Sequence, residues 1–194
     1  MLELQELGCH NINLVTPTHY VPHILTAIES AAAHGLHIPV LYNTSGYDTV
    51  ETIRLLEGVV DIYLPDSKYA DDTVSGRLSG FRGYVASNRA ALYEMYRQVG
   101  EELVLDNEGI ARHGLIIRHL VLPHELSQTT EVLRWIAEKL SSRVHISLMS
   151  QYFPAWHAVD SAELGQALSL EEYERATDAL ADLGLENGWQ QELD

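Results

Sequence analysis

VDIYLPDSKYADD occupies residues 60–72. Ile62, Tyr63 and Leu64 favour an extended strand, and Pro65 closes the run. Asp66 and Lys68 then stand two positions apart, so a chain that stays extended sets both on one side. Such a pair reads either as ligand-facing groups at the carboxyl end of a parallel α/β strand or as an exposed ion pair at a loop start. The rest of the chain repeats the pattern. Residues 11–17 (NINLVTP), 38–45 (IPVLYNTS), 115–123 (LIIRHLVLP) and 144–152 (VHISLMSQY) read as further strands. Residues 21–34, 49–57, 86–100, 129–140 and 170–184 read as helices between and after them. Regular β–α alternation predicts a parallel sheet with right-handed crossovers. The near-continuous apolar strands predict cover on both faces. Ser169 and Glu172 form a capping box for the last helix, and residues 101–113 suit a small hairpin around DNEG.

The 194 residues suffice for one core, read as a single domain over 1–194. The formal charge of -16, from 12 basic and 28 acidic residues, argues against nucleic acid and anionic membrane surfaces as partners. One cysteine, Cys9, excludes a disulfide framework within the chain and a cysteine-ligated cluster made by this chain alone. Lying between Gly8 and a strand, Cys9 reads as a small buried hydrophobe, and Trp135 and Met149 read as core. No apolar run approaches the roughly 18 residues of a membrane span. The acidic start MLELQELG is unlike a signal peptide, so a cytoplasmic location is expected. Residues 2–8 resemble the last turns of a helix. They read either as the tail of a crossover helix whose strand is absent or as a short cap.

The strand ends are loaded with polar side chains. Thr16, Pro17, Thr18 and His19 follow the first strand, and Asn43, Thr44 and Ser45 the second. Asp66 and Lys68 follow the third, and Gln151 and Tyr152 the last. Arg118 lies inside an apolar strand, where burial demands an anionic partner or ligand. Together these ends suit a small ligand with several functional groups. The pair His19 and His23 has the spacing of metal ligands but is interrupted by Pro22, and reads as surface histidines at a helix start. No GxGxxG, P-loop or GxSxG motif is present.

LGCHNINLVTPTHYVPHIL (7–25), PVLYNTSGYDTVETIRLLEGVVDIYLPDSKY (39–69) and GLIIRHLVLP (114–123) resemble the middle and C-terminal part of radical S-adenosylmethionine (radical SAM) proteins. The subgroup is the one that resembles pyruvate formate-lyase activating enzyme. The resemblance implies a partial (β/α) barrel that binds SAM at its open rim. It implies a [4Fe-4S] cluster held by a CxxxCxxC loop after the first strand. Reductive cleavage of SAM there yields a 5′-deoxyadenosyl radical. It also implies a glycyl-radical-type protein substrate and an electron donor as partners. Carried over residue by residue, Thr16, Pro17, Thr18 and His19 stand at the SAM amino group, Asn43 and Ser45 near the ligand, and Asp66 and Lys68 at ribose and carboxylate. Arg118 stands near the SAM carboxylate and Gln151 near adenine or ribose.

The sequence departs from the family in lacking CxxxCxxC. The resemblance therefore implies an N-terminally incomplete form, without the first strand and its cluster loop, and with an open sheet edge prone to self-association. The cluster is expected in a full-length form only. Two other readings remain. One is a metal-dependent hydrolase on a (β/α) barrel, with His19, Asp66 and His119 as ligands. The other is a non-catalytic remnant that binds SAM or a partner.

Overall fold

The computed structural model describes residues 1–193. In chain order the elements are α1 (Leu2–Glu6), β1 (Ile12–Val15), α2 (Val21–Ala33), β2 (Val40–Thr44), α3 (Val50–Leu55), β3 (Ile62–Pro65) and α4 (Asp72–Ser79). Then come α5 (Tyr84–Val99), β4 (Val104–Leu105), β5 (Ala111–Leu120), α6 (Thr129–Lys139), β6 (His145–Met149), α7 (Leu170–Asp182) and β7 (Gly188–Gln190). The hydrogen-bonded strand order is β1-β2-β3-β5-β6-β7, with β4 beside β5. The fold is α/β with a mostly parallel sheet, as the alternation predicts. The chain divides into two compact units, Met1–Pro65 with Ser87–Ile116, and Asp66–Ala86 with the residues from Ile117 on.

In the first unit β1, β2 and β3 pair in parallel, with Ile12 opposite Val40 and Leu41 opposite Ile62. β3 pairs in parallel with the start of β5, Tyr63 opposite Leu115. β4 runs antiparallel to β5, which is the expected hairpin. The strands bury both faces around Tyr42, Tyr63, Ile62 and Leu115, with Ala91, Leu92 and Met95 of α5 fully buried as well. Their one- and four-residue steps form the apolar stripe of an amphipathic helix. Among the described residues β1 has β2 on one side and no strand on the other, and Val15 there is 66% exposed.

In the second unit β6 and β7 pair in parallel, with Ile146 opposite Gly188. Leu133 and Ile136 of α6, Ile146 and Leu148 of β6, and Tyr173, Ala176 and Leu180 of α7 are buried. The capping box of α7 forms as its spacing predicts, Ser169 Oγ accepting from the Glu172 amide. A second cluster joins Tyr69, Tyr84 and Leu122 to Phe81, Leu126 and Tyr152.

Two elements escape the sequence reading. α4 is polar and carries Gly76, and it depends on Asp71, whose side chain caps the Thr73 amide. β7 is exposed at all three positions and so shows no apolar alternation. Cys9 is exposed rather than buried, because the five-residue α1 buries nothing over it. Trp135 and Met149 are half-buried.

Gly188 has φ 120°, and a Cβ there would lie 2.0 Å from the Ile146 carbonyl oxygen. Gly188→Ala should therefore dislodge β7 and cost on the order of 1–3 kcal/mol, as overpacking does. Chemical denaturation followed by tryptophan fluorescence measures this, and a variant as stable as the wild type would refute the close approach.

Candidate functional site

The residues singled out in the sequence form two sets. In the first unit, Thr16 follows β1 with φ 51°, a left-handed conformation that a β-branched residue rarely adopts. Its amide donates to the Asn43 carbonyl at 2.7 Å, which binds the ends of β1 and β2 together. Thr16 and His19 are exposed, Thr18, Asn43 and Ser45 half-buried, and Pro17 buried. The group that organises this set is Asp48, a residue that the sequence did not single out. Asp48 is 2% exposed and accepts hydroxyl hydrogen bonds from Thr18 at 2.7 Å, Tyr42 at 3.0 Å and Thr44 at 2.5 Å. The Ser87 hydroxyl donates to its carbonyl at 3.2 Å. Burial, followed by the charge of Asp48, raises the Tyr42 pKa, so the phenol stays a donor. The local part of its signal is Tyr42 and Thr44 in YNTSGYD (42–48), two hydroxyl donors close to the carboxylate in sequence, while Thr18 comes from 30 residues away.

The second unit holds the Asp66 set. Asp66 is 7% exposed, and its two carboxylate oxygens pair with Lys68 Nζ and an Arg118 guanidinium nitrogen, each at 2.6 Å. The two-residue spacing thus brings Asp66 and Lys68 together as predicted, and Arg118 has its required anion. Arg118 reaches Asp66 because the chain beyond β3 stays extended and bridges in parallel to β5 at this pair. Of the other two guanidinium nitrogens of Arg118, Nε is buried with no hydrogen-bond partner among the described residues. Gln151 is exposed and touches Met149 and Gln191 of its own unit, away from any contact with Asp66 that the geometry shows.

The Asp66–Ser67–Lys68 backbone is held at each step. The Ser67 amide donates to the Arg118 carbonyl at 2.8 Å, and the Lys68 amide to the Tyr84 hydroxyl at 2.9 Å. The Tyr84 hydroxyl donates to the Asp66 carbonyl at 3.4 Å. His119, fully buried, meets the Ser67 carbonyl with Nδ1 at 2.6 Å and the Thr129 hydroxyl with Nε2 at 2.9 Å. Both ring nitrogens are engaged. His119 is therefore not available as a metal ligand, and the set His19, Asp66 and His119 expected for a hydrolase is not formed. Among the described residues no group of three His, Cys, Asp or Glu side chains could hold a metal ion.

Burial depresses the His119 pKa from 6.5 to about 4. The Ser67 bond and Asp66 oppose this shift, and the Lys68 charge adds to it. Between those pH values the unfolded chain binds a proton that the folded chain refuses, so stability falls as pH falls through this window. Denaturant unfolding at pH 7 and pH 5 should show a loss of about 2 kcal/mol from this residue, absent in His119→Asn. Equal pH dependence of the two proteins would contradict a neutral His119.

No protein-family model matches the chain. The protein is 33% identical over 169 residues to "Uncharacterized protein MJ0674" of Methanocaldococcus jannaschii, covering 86% of this chain and 44% of that protein. The chain thus spans less than half the length of the curated relative it matches. Among solved structures it is similar to a domain of pyruvate-formate lyase-activating enzyme from Bacteroides vulgatus, with TM-score 0.56, 17% identity and coverage of 94% of this chain and 98% of that one. It is also similar to HydG, a maturase of the [FeFe]-hydrogenase, with TM-score 0.61, 12% identity and coverage of 97% and 42%. At these identities the likeness is one of fold, and the fold is the α/β class that the sequence resemblance implied. Among the described residues no helix is long and apolar enough to cross a membrane.

Proposed function

We propose that this chain is the SAM-binding part of a radical SAM protein. The observation that carries the reading is the Lys68–Asp66–Arg118 cluster where β3 ends beside β5. Two cations share one carboxylate, leaving a local positive charge in a chain of net charge -16. The buried, unpartnered Arg118 Nε is a donor without an acceptor. A ligand carboxylate would supply that acceptor, and the SAM methionine carries one. The residues present therefore fit SAM: Arg118 and Lys68 bind its carboxylate, and Asp66 holds the two cations in place beside the ribose. Gln151, of the same unit, is assigned to adenine or ribose.

The same residues do not fit a [4Fe-4S] cluster. Such a cluster takes cysteine thiolates, and the chain has one cysteine, the exposed Cys9. The cluster ligands would have to come from other cysteines. The part assigned to this chain is to bind and orient SAM, not to reduce it. The fold shared with a domain of an activating enzyme supports a protein as the eventual substrate partner, with an electron donor alongside.

Equilibrium dialysis with labelled SAM tests the reading. The wild-type chain should bind SAM, and Lys68→Met and Arg118→Gln should each weaken binding at least about 10-fold, the scale of one charge-assisted hydrogen bond. Decarboxylated SAM should bind more weakly by a similar factor to the wild type and no more weakly than SAM to Arg118→Gln. Equal affinity of the wild type for SAM and its decarboxylated form would overturn the assignment of the two cations. Absence of binding would overturn the function.

A further inference from the structure

The His119 hydrogen bonds have one consistent direction. The Leu122 amide donates to Ser127 Oγ at 3.2 Å, so that oxygen is an acceptor there. The Ser127 and Thr129 hydroxyls lie 3.1 Å apart, and Thr129 Oγ1 lies 2.9 Å from His119 Nε2. The Ser67 carbonyl can only accept, so His119 Nδ1, 2.6 Å away, must carry the proton. A neutral imidazole protonated on Nδ1 has a bare Nε2. Thr129 then donates to Nε2, and Ser127 donates to Thr129. The relay runs from the Leu122 amide through two hydroxyls and the imidazole to the Ser67 carbonyl. Ser127 and His119 are 0% exposed and Thr129 is 9% exposed, so water does not compete for these bonds.

Arg118 and His119 are neighbours on β5 and point to opposite faces of the strand. Both meet Ser67. Arg118 takes the Asp66 carboxylate and the Ser67 amide, and His119 takes the Ser67 carbonyl. Ser67 lies between the anion and the second cation, so the direction of its carbonyl fixes where Lys68 is carried relative to Asp66.

We infer that His119 is the positioning residue of the Lys68–Asp66–Arg118 cluster: as the neutral Nδ1–H tautomer it locks the Ser67 carbonyl and so sets the spacing of the two cations. His119 touches neither cation with its ring and acts through Ser67. The inference deepens the SAM-binding reading and rests on it only for the effect on ligand affinity. The burial that depresses the His119 pKa keeps the tautomer neutral near pH 7.

Three measurements on the full chain test it. In the wild type, long-range nitrogen–proton correlation NMR at pH 7 should show His119 protonated on Nδ1 and bare on Nε2. An Nε2–H tautomer or an imidazolium would overturn the inference. His119→Asn keeps a donor near the Nδ1 position, whereas His119→Gln places its amide near Nε2 and leaves the Ser67 carbonyl without a donor. Hydrogen exchange of the Ser67 and Lys68 amides, compared with that of β6 amides in the same protein, should be near wild type in His119→Asn. It should be at least 10-fold faster in His119→Gln. Equal exchange in the two variants would mean that the Nδ1 donor does not hold the segment. SAM affinity should follow the same order, with His119→Asn close to wild type and His119→Gln at least 5-fold weaker. Should the wild type fail to bind SAM, the function falls, while the tautomer and exchange results still decide the role of His119.

Discussion

A carboxylate removed from water must be met by donors or cations, and Asp66 is met by two cations at once. Lys68 is delivered by the chain itself, two residues on, and Arg118 by the adjoining strand β5. The pairing explains why an arginine can interrupt the apolar run LIIRHLVLP. It also explains why the chain after Pro65 stays extended long enough to bridge to β5. Replacing Asp66 by a neutral residue would leave two cations close together with no anion between them, a worse state than an exposed pair. The position of both cations therefore depends on this one carboxylate.

Asp48 solves the same problem differently. It is as buried as Asp66 but is satisfied by three hydroxyls, from Thr18, Tyr42 and Thr44. Neutral donors fill the carboxyl oxygens and bring no cation to the site. Asp48 is thus a knot that binds the ends of β1 and β2 and the turn after Thr16. The Asp66 cluster, with one cation more than it has anions, keeps an electrostatic capacity for a further anion. This contrast separates a group that builds a loop from a group that can hold a ligand. The left-handed Thr16 beside the Asp48 knot fits the same division, because strained backbone persists where surrounding bonds over-determine it.

Much of this was legible in the sequence because α/β strands announce themselves. Residues 60–66 predicted β3, the two-residue spacing predicted the Asp66–Lys68 pair, and the arginine in residues 115–123 predicted a buried anion beside it. What was not legible lacks a local pattern. β7 is three exposed residues held by the close approach of Gly188 to β6, an interaction that alternation does not encode. Asp48 and His119 are defined by partners 30 and 52 residues away in the chain, Thr18 and Ser67. His119 stood out in the sequence as a possible metal ligand, and its two hydrogen bonds give it another task. Cys9 failed as a core residue because the helix before it is too short to cover it.

SAM binding at this site turns on whether the two cations around Asp66 receive its carboxylate. A crystal structure of the chain grown with SAM measures this directly. The methionine carboxylate should lie within hydrogen-bonding distance of Arg118 Nε and Lys68 Nζ, with the Asp66 pairings intact. SAM bound elsewhere, or with its carboxylate facing away from both cations, would contradict it.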